Sequence, residues 1–273
     1  MRQHFLFAIG VILALACSAS FARGIACKAP HGMPAARLLL FGELHGATES
    51  PALVGRIVCA IAESGPVALG LELPVTEQEP IDRYLASDGA PSAEKRLLSG
   101  RFWLGGDGRS SRAMFDLIRY VRKLKQHGLP VAVFTLVPAT LGNTADDNQD
   151  ISRAIRTFHR DHPRMRIVVL MGNLHAGQAK ISPFGTMITP AGYLLRDLHP
   201  ASIQITHPAG TIWACTDSCG THHVSGRSKS RKSGFYNDAP IQGYSMAYML
   251  PSITASPPAG LAVKQHPAAI DRR

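Results

Sequence analysis

No apolar stretch in this chain approaches the ~20 residues that a membrane-spanning helix requires. The longest, Phe5 to Ala16, follows a short basic start and stops well below that length. Ser20 and Ala22 after it form the small-x-small pattern that signal peptidase reads. Residues 1–22 are therefore expected to be an export signal, and the mature chain to begin near Arg23 as a periplasmic or secreted protein without a membrane span. Leu13-Ala14-Leu15-Ala16-Cys17 also reads as a degenerate lipoprotein signal, which makes anchoring at Cys17 the rival reading. Charge is sparse too: charged residues are 18% of the chain against 45% hydrophobic, which excludes a disordered polyelectrolyte and leaves enough for a sizeable core. Lys and Arg outnumber Asp and Glu by 29 to 19, but aromatics are only 7% and do not interleave with the basic residues, so a nucleic-acid surface is not expected. There is no internal repeat.

Cysteine is also scarce. With Cys17 removed in the signal, Cys27, Cys59, Cys215 and Cys219 remain, an even number in a compartment that permits disulfides. Four cysteines allow three pairings. Cys27–Cys59 with Cys215–Cys219 is favoured because it joins near neighbours. A zinc knuckle of Cys215 and Cys219 with His222 and His223 is the alternative.

What the chain does have is alternation. Short continuous apolar runs at 36–42, 67–71, 131–137 and 167–171 suit strands buried on both faces. Between them lie helical stripes: Leu53, Val54, Ile57, Val58 and Ile61; Met114, Leu117, Ile118, Val121 and Leu124 behind the candidate caps Ser110 and Ser111; and Ile151, Ala154, Ile155 and Phe158. A fourth helix is expected from Thr189-Pro190 to Leu198. The pattern predicts one α/β domain over 23–256, a mostly parallel central β-sheet with helices on both faces and right-handed crossovers. The segment 217–238, with Arg227, Lys229, Arg231 and Lys232, reads as a long mobile loop. Residues 244–250 read as a last strand and 257–273 as a disordered tail.

Ligands of open parallel sheets bind at the carboxyl ends of the strands. The first strand ends in Gly42-Glu43-Leu44-His45-Gly46, the second in Leu71-Glu72-Leu73-Pro74, and a later one in Gly172-Asn173-Leu174-His175-Ala176. Glu43 and His45, two apart in extended backbone, point to one side. Three strands thus bring Glu43, His45, Glu72 and His175 to one edge, and unpaired carboxylates there are costly. Two His and two Glu are the residue types that hold a divalent metal or serve as general base. Because these residues lie outside the apolar runs, His45→Ala is expected to remove function with little loss of fold.

The segment Gly42-Glu43-Leu44-His45-Gly46-Ala47-Thr48-Glu49-Ser50-Pro51, the strand end at Glu72 and the second Gly-x-x-His at 172–175 resemble the TIKI/ChaN-like/erythromycin-esterase superfamily over residues 36–215. The segment Asn148-Gln149-Asp150-Ile151-Ser152-Arg153 departs from it, lacking an Arg-x-x-x-Met-Ala pattern. The resemblance implies a site of Glu43, His45, Glu72 and His175, with Arg109 of the loop 107–112 steadying a developing anion. It further implies a metal-dependent hydrolase of an ester or amide bond, using manganese, cobalt or zinc on His45, Glu43, Glu72 and His175, and acting on a small molecule or peptide. A haem-binding envelope protein and a non-catalytic envelope domain are the alternatives.

Overall fold

The computed structural model describes residues 27–139, 144–183, 185–226 and 232–260. The expected signal, Cys17, and Arg227, Lys229 and Arg231 of the basic loop lie outside them.

Alternating side chains of each central strand feed two separate cores. Leu39 and Phe41 of β1 (Leu38–Glu43), Leu69 and Leu71 of β2 (Val67–Pro74), and Val168 and Leu170 of β4 (Arg166–Gly172) pack on one face. There they meet α1 (Glu49–Ala62), α2 (Gln78–Ala86), α3 (Pro91–Leu98) and α4 (Arg112–Gln126). Leu38, Leu40, Val169 and Met171 turn to the other face with Phe134 and Leu136 of β3 (Val131–Val137), under Ile151 and Ile155 of α5 (Thr144–Asp161). Continuous apolar runs are therefore what a sheet covered on both faces demands. Ser111 caps α4 by accepting the Met114 amide at 3.3 Å, as its position ahead of the stripe predicts.

The main sheet runs β3-β2-β4-β1-β5-β9-β8, with β5 at Ala201–Thr206, β8 at Gly234–Tyr236 and β9 at Met246–Met249. All its neighbours are parallel except β8 with β9. β4 inserts between β2 and β1, with Gly172 opposite Glu43 in register. That insertion places the ends of β1, β4 and β2 side by side.

Four expectations change. The fourth helix splits into α7 (Ala191–Leu194) and a 3₁₀ turn (Arg196–Leu198), and His199 follows it in left-handed backbone (φ 49°). His175 lies just past its strand, in the one-turn helix α6 (Asn173–Ala176). Part of the expected mobile loop is β7 (Cys219–Val224), antiparallel to β6 (Gly210–Cys215), and β8 also falls within it. Of the expected tail, residues 257–260 are fixed: Pro257 O accepts from Arg112 N at 2.7 Å, and the amides of Ala259 and Gly260 donate to Ser110 O and Trp103 O. A segment of low side-chain complexity is ordered here by main-chain pairing, which leaves little trace in composition. Residues 261–273 lie outside the described ones.

Cys27–Cys59 and Cys215–Cys219 are joined as disulfides. His222 turns Nε2 to the carbonyls of Ala214 and Ser218, each at 3.1 Å, rather than to sulfur. Chain cleaved after Ala22 should titrate no free thiol in denaturant. Cys27→Ser with Cys59→Ser should cost about 3–4 kcal/mol, since the bridge closes 32 residues of sequence separation. Urea denaturation measures it, and an unchanged midpoint would refute the bridge's contribution.

Candidate functional site

Each site residue is delivered by a different local device. Glu43 is the last residue of β1 and is buried. His45 sits in the turn after it, ahead of Gly46 at φ +81°. A side chain at Gly46 would also strike the Trp213 carbonyl, its Cβ falling 2.0 Å from that oxygen, so glycine is required twice over. Glu72 lies where the register of β2 against β3 shifts between Leu71 and Pro74, an irregularity of the kind that re-aims a side chain. His175 is carried by α6. Arg109 comes from the 3₁₀ turn Gly108–Ser110, capped by Asp107, which accepts the Arg109 amide at 2.8 Å.

The structure brings all five predicted residues together, with Glu72 at the centre. Its Oε2 accepts the Gly172 amide at 2.6 Å and lies 3.4 Å from His45 Nε2. Its Oε1 lies 3.4 Å from Arg109 Nη1 and 3.8 Å from His175 Nε2. His45 Nδ1 donates to Glu43 Oε1 at 3.1 Å. Gly172 forms the floor: a Cβ there would come within 2.9 Å of His45 Nε2 and 3.4–3.5 Å of His175 and Glu72.

Two further residues belong to the arrangement. Asp107 grips Arg109 Nη2 at 2.8 Å and so aims the guanidinium at Glu72. Asn148, fully buried on α5, meets His175 Nδ1 at 2.9 Å. Asp107 was legible only as part of the loop 107–112. Asn148 was named only within the segment that departs from the resemblance, since nothing in sequence says that α5 passes behind α6. Around the Arg109 turn, Gly108 packs on Gly46, Trp213 Nε1 donates to Gly106 O at 2.9 Å, and the two sulfurs of the Cys215–Cys219 bridge sit over Gly106.

The charges follow from burial and neighbours. Burial lifts the Glu43 carboxyl above the usual carboxylate range, against the pull of His45. Burial works against charge on Glu72 as well, but His45, His175 and Arg109 outweigh it and hold that carboxyl well below the usual range. Burial opposes a charged His45, yet Glu72 and the hydrogen bonds to both carboxylates raise its pKa to about 10. His175 moves the other way: burial lowers it, and the neighbouring His45 and Arg109 add to that against Glu72 and Asp147. The surroundings thus favour the charged form of His45 and the neutral form of His175.

These donors do not fit a divalent metal. Both nitrogens of His45 face carboxylates, Glu72 is shared among an amide, an imidazole and a guanidinium, and Arg109 supplies the positive charge where a cation would sit. Among the described residues no group of three or more His, Cys, Asp or Glu is disposed to hold a metal. Haem fits no better, since both His45 nitrogens face carboxylates and the His175 side chain is only 12% exposed.

No family model and no curated protein matches the sequence. Solved structures do. A mutant of erythromycin esterase EreC in its open conformation aligns at TM-score 0.59 and 11% identity over 80% of this chain and 91% of that one. A Bacillus cereus protein aligns at 0.55 and 12% identity over 81% and 90%, and a succinoglycan biosynthesis protein at 0.53 and 9% over 81% and 89%. At these identities the likeness is one of fold.

Proposed function

We propose that the protein is an exported hydrolase that cleaves an ester or amide bond of a small molecule or peptide by acid–base chemistry of its own side chains. One observation carries the reading. His45 Nε2 and His175 Nε2 face the two oxygens of one buried carboxylate, Glu72, which raises the pKa of the first while burial lowers that of the second. Pairs of titratable groups pushed to opposite protonation states mark acid and base roles. The fold shared with an erythromycin esterase supports the class of reaction. The signal-like sequence of residues 1–22 and two disulfides support export.

In this reading His175 Nε2 takes a proton from water as its oxygen attacks the carbonyl carbon. The Arg109 guanidinium and, through its charge alone, the His45 imidazolium stabilise the oxyanion that forms. The carbon–oxygen or carbon–nitrogen bond then breaks, and the leaving group takes the proton from His175. Glu72 keeps His45 charged, and Asp107 keeps Arg109 aimed.

His175→Ala should lower kcat/KM on a chromogenic aryl ester such as p-nitrophenyl acetate by roughly 10²–10⁴-fold, the contribution of a general base. Steady-state kinetics on chelator-treated enzyme test this. Wild-type protein with no turnover of aryl esters or arylamides, or an unimpaired His175→Ala variant, would overturn the proposal.

A further inference from the structure

The side-chain amide of Asn148 has only one possible orientation. Its Oδ1 lies 2.8 Å from the backbone nitrogen of Ala191, the first residue of α7. A peptide N–H is always a donor, so an acceptor must face it, and exchanging the amide oxygen and nitrogen would set two donors against each other. The same Oδ1 lies 2.9 Å from His175 Nδ1. Nδ1 must therefore carry a proton, since its lone pair would be repelled by the oxygen. A neutral imidazole has one N–H, so Nε2 keeps the lone pair; Glu72 Oε1, at 3.8 Å, is beyond hydrogen-bond reach and does not fix a proton there.

We infer that Asn148 is a positioning residue, which locks His175 in the Nδ1–H tautomer and presents Nε2 as the proton acceptor of the site. The consequence for catalysis rests on the hydrolase reading; the tautomer itself does not. The geometry also separates the two histidines: His45 has a carboxylate at each nitrogen and donates from both, whereas His175 has an amide oxygen behind it. A carboxylate in place of that amide would make the base stronger and leave it protonated at neutral pH. The charged and titratable groups around His175 are Glu72 from β2, His45 after β1, Arg109 from the 3₁₀ turn and Asp147 from α5. Asn148 adds no charge to that set.

The full mature chain, labelled with ¹⁵N-histidine, tests this by two-bond ¹H–¹⁵N spectra at neutral pH, with His175 assigned from its loss in His175→Gln. The expected spectrum shows Nδ1 protonated and Nε2 bare. Asn148→Asp should retain the Nδ1 proton, because it still accepts from Ala191. It should also move the acidic limb of kcat/KM on p-nitrophenyl acetate to higher pH. Asn148→Leu should release the Nδ1–H preference and lower kcat roughly 10²-fold or more, with KM little changed. A wild-type His175 seen as Nε2–H or as imidazolium would overturn the inference, and so would an Asn148→Asp pH profile identical to wild type. The wild-type and Asp spectra decide the matter if the Leu variant does not fold. The expected spectra in a protein that turns over neither aryl esters nor arylamides would uphold the tautomer and overturn the hydrolase reading instead.

Discussion

Glu72→Ala is expected to abolish hydrolysis and to cost the fold about 3–5 kcal/mol, the range for removing one partner of a buried ion pair. Glu72 is 5% exposed, and its carboxylate is the shared counter-charge for His45 and Arg109. Its removal leaves an imidazolium and a guanidinium together in a half-buried space and strands the Gly172 amide. Glu72→Gln separates the two effects: an oxygen remains to accept the Gly172 amide, but the charge is gone. That variant should lose activity as completely while losing only about 1–3 kcal/mol. Urea denaturation and ester hydrolysis on the same samples measure both. A Glu72→Ala protein as stable as wild type would show that the ion network is not part of the fold.

The same network revises the outcome expected for His45→Ala. Sequence placed His45 outside the apolar runs and therefore cheap to remove. In the structure it separates two buried carboxylates, and its loss leaves Glu43 and Glu72 facing each other without the intervening cation. Like charges in a buried site force one to take up a proton. The variant is thus expected to lose stability as well as activity.

The four strands β1 to β4 and three main helices were legible because each answers to a single local rule. A strand buried on both faces reads as an apolar run, and a helix on a sheet reads as a stripe. β5 obeys neither rule. It lies inside the sheet yet carries Ser202, Gln204 and Thr206, with Ser202 bonded to the Ala176 carbonyl and Gln204 to the Ile241 amide. Polar residues can occupy a buried strand when distant backbone satisfies them, and no local pattern announces that. The hairpin β6–β7 escaped for a related reason, since it forms its own two-stranded sheet and sends only Ile212 of its strands fully into the main core. Glu43, His45, Glu72 and His175 were visible because topology gathers strand ends at one edge. Asn148 was not, because its role depends on where three helices meet in space.

Stability should fall as pH rises from about 6.5 to about 10, and the cause should be His45. Its folded pKa of about 10 exceeds the unfolded value of 6.5, so the stability it contributes is complete below pH 6.5 and is lost through pH 10. Each pH unit inside that window removes at most about 1.4 kcal/mol. Glu43 acts in the same sense from 4.5 upward, because its folded pKa is also raised. Glu72 acts in the opposite sense: its depressed folded pKa gives stability above pH 4.5 that is lost as pH falls through the folded value. The maximum is therefore expected between about pH 5 and 6.5, with the steeper loss on the alkaline side. Urea midpoints measured from pH 4 to pH 10 test this, with Glu72→Gln as the control. In that variant the alkaline decline should shrink, since the Glu72 charge is the largest contribution raising His45. A wild-type midpoint that stays level from pH 6.5 to pH 10 would mean that His45 is neutral in the folded protein, and the oxyanion-stabilising role assigned to its imidazolium would have to pass to Arg109 alone.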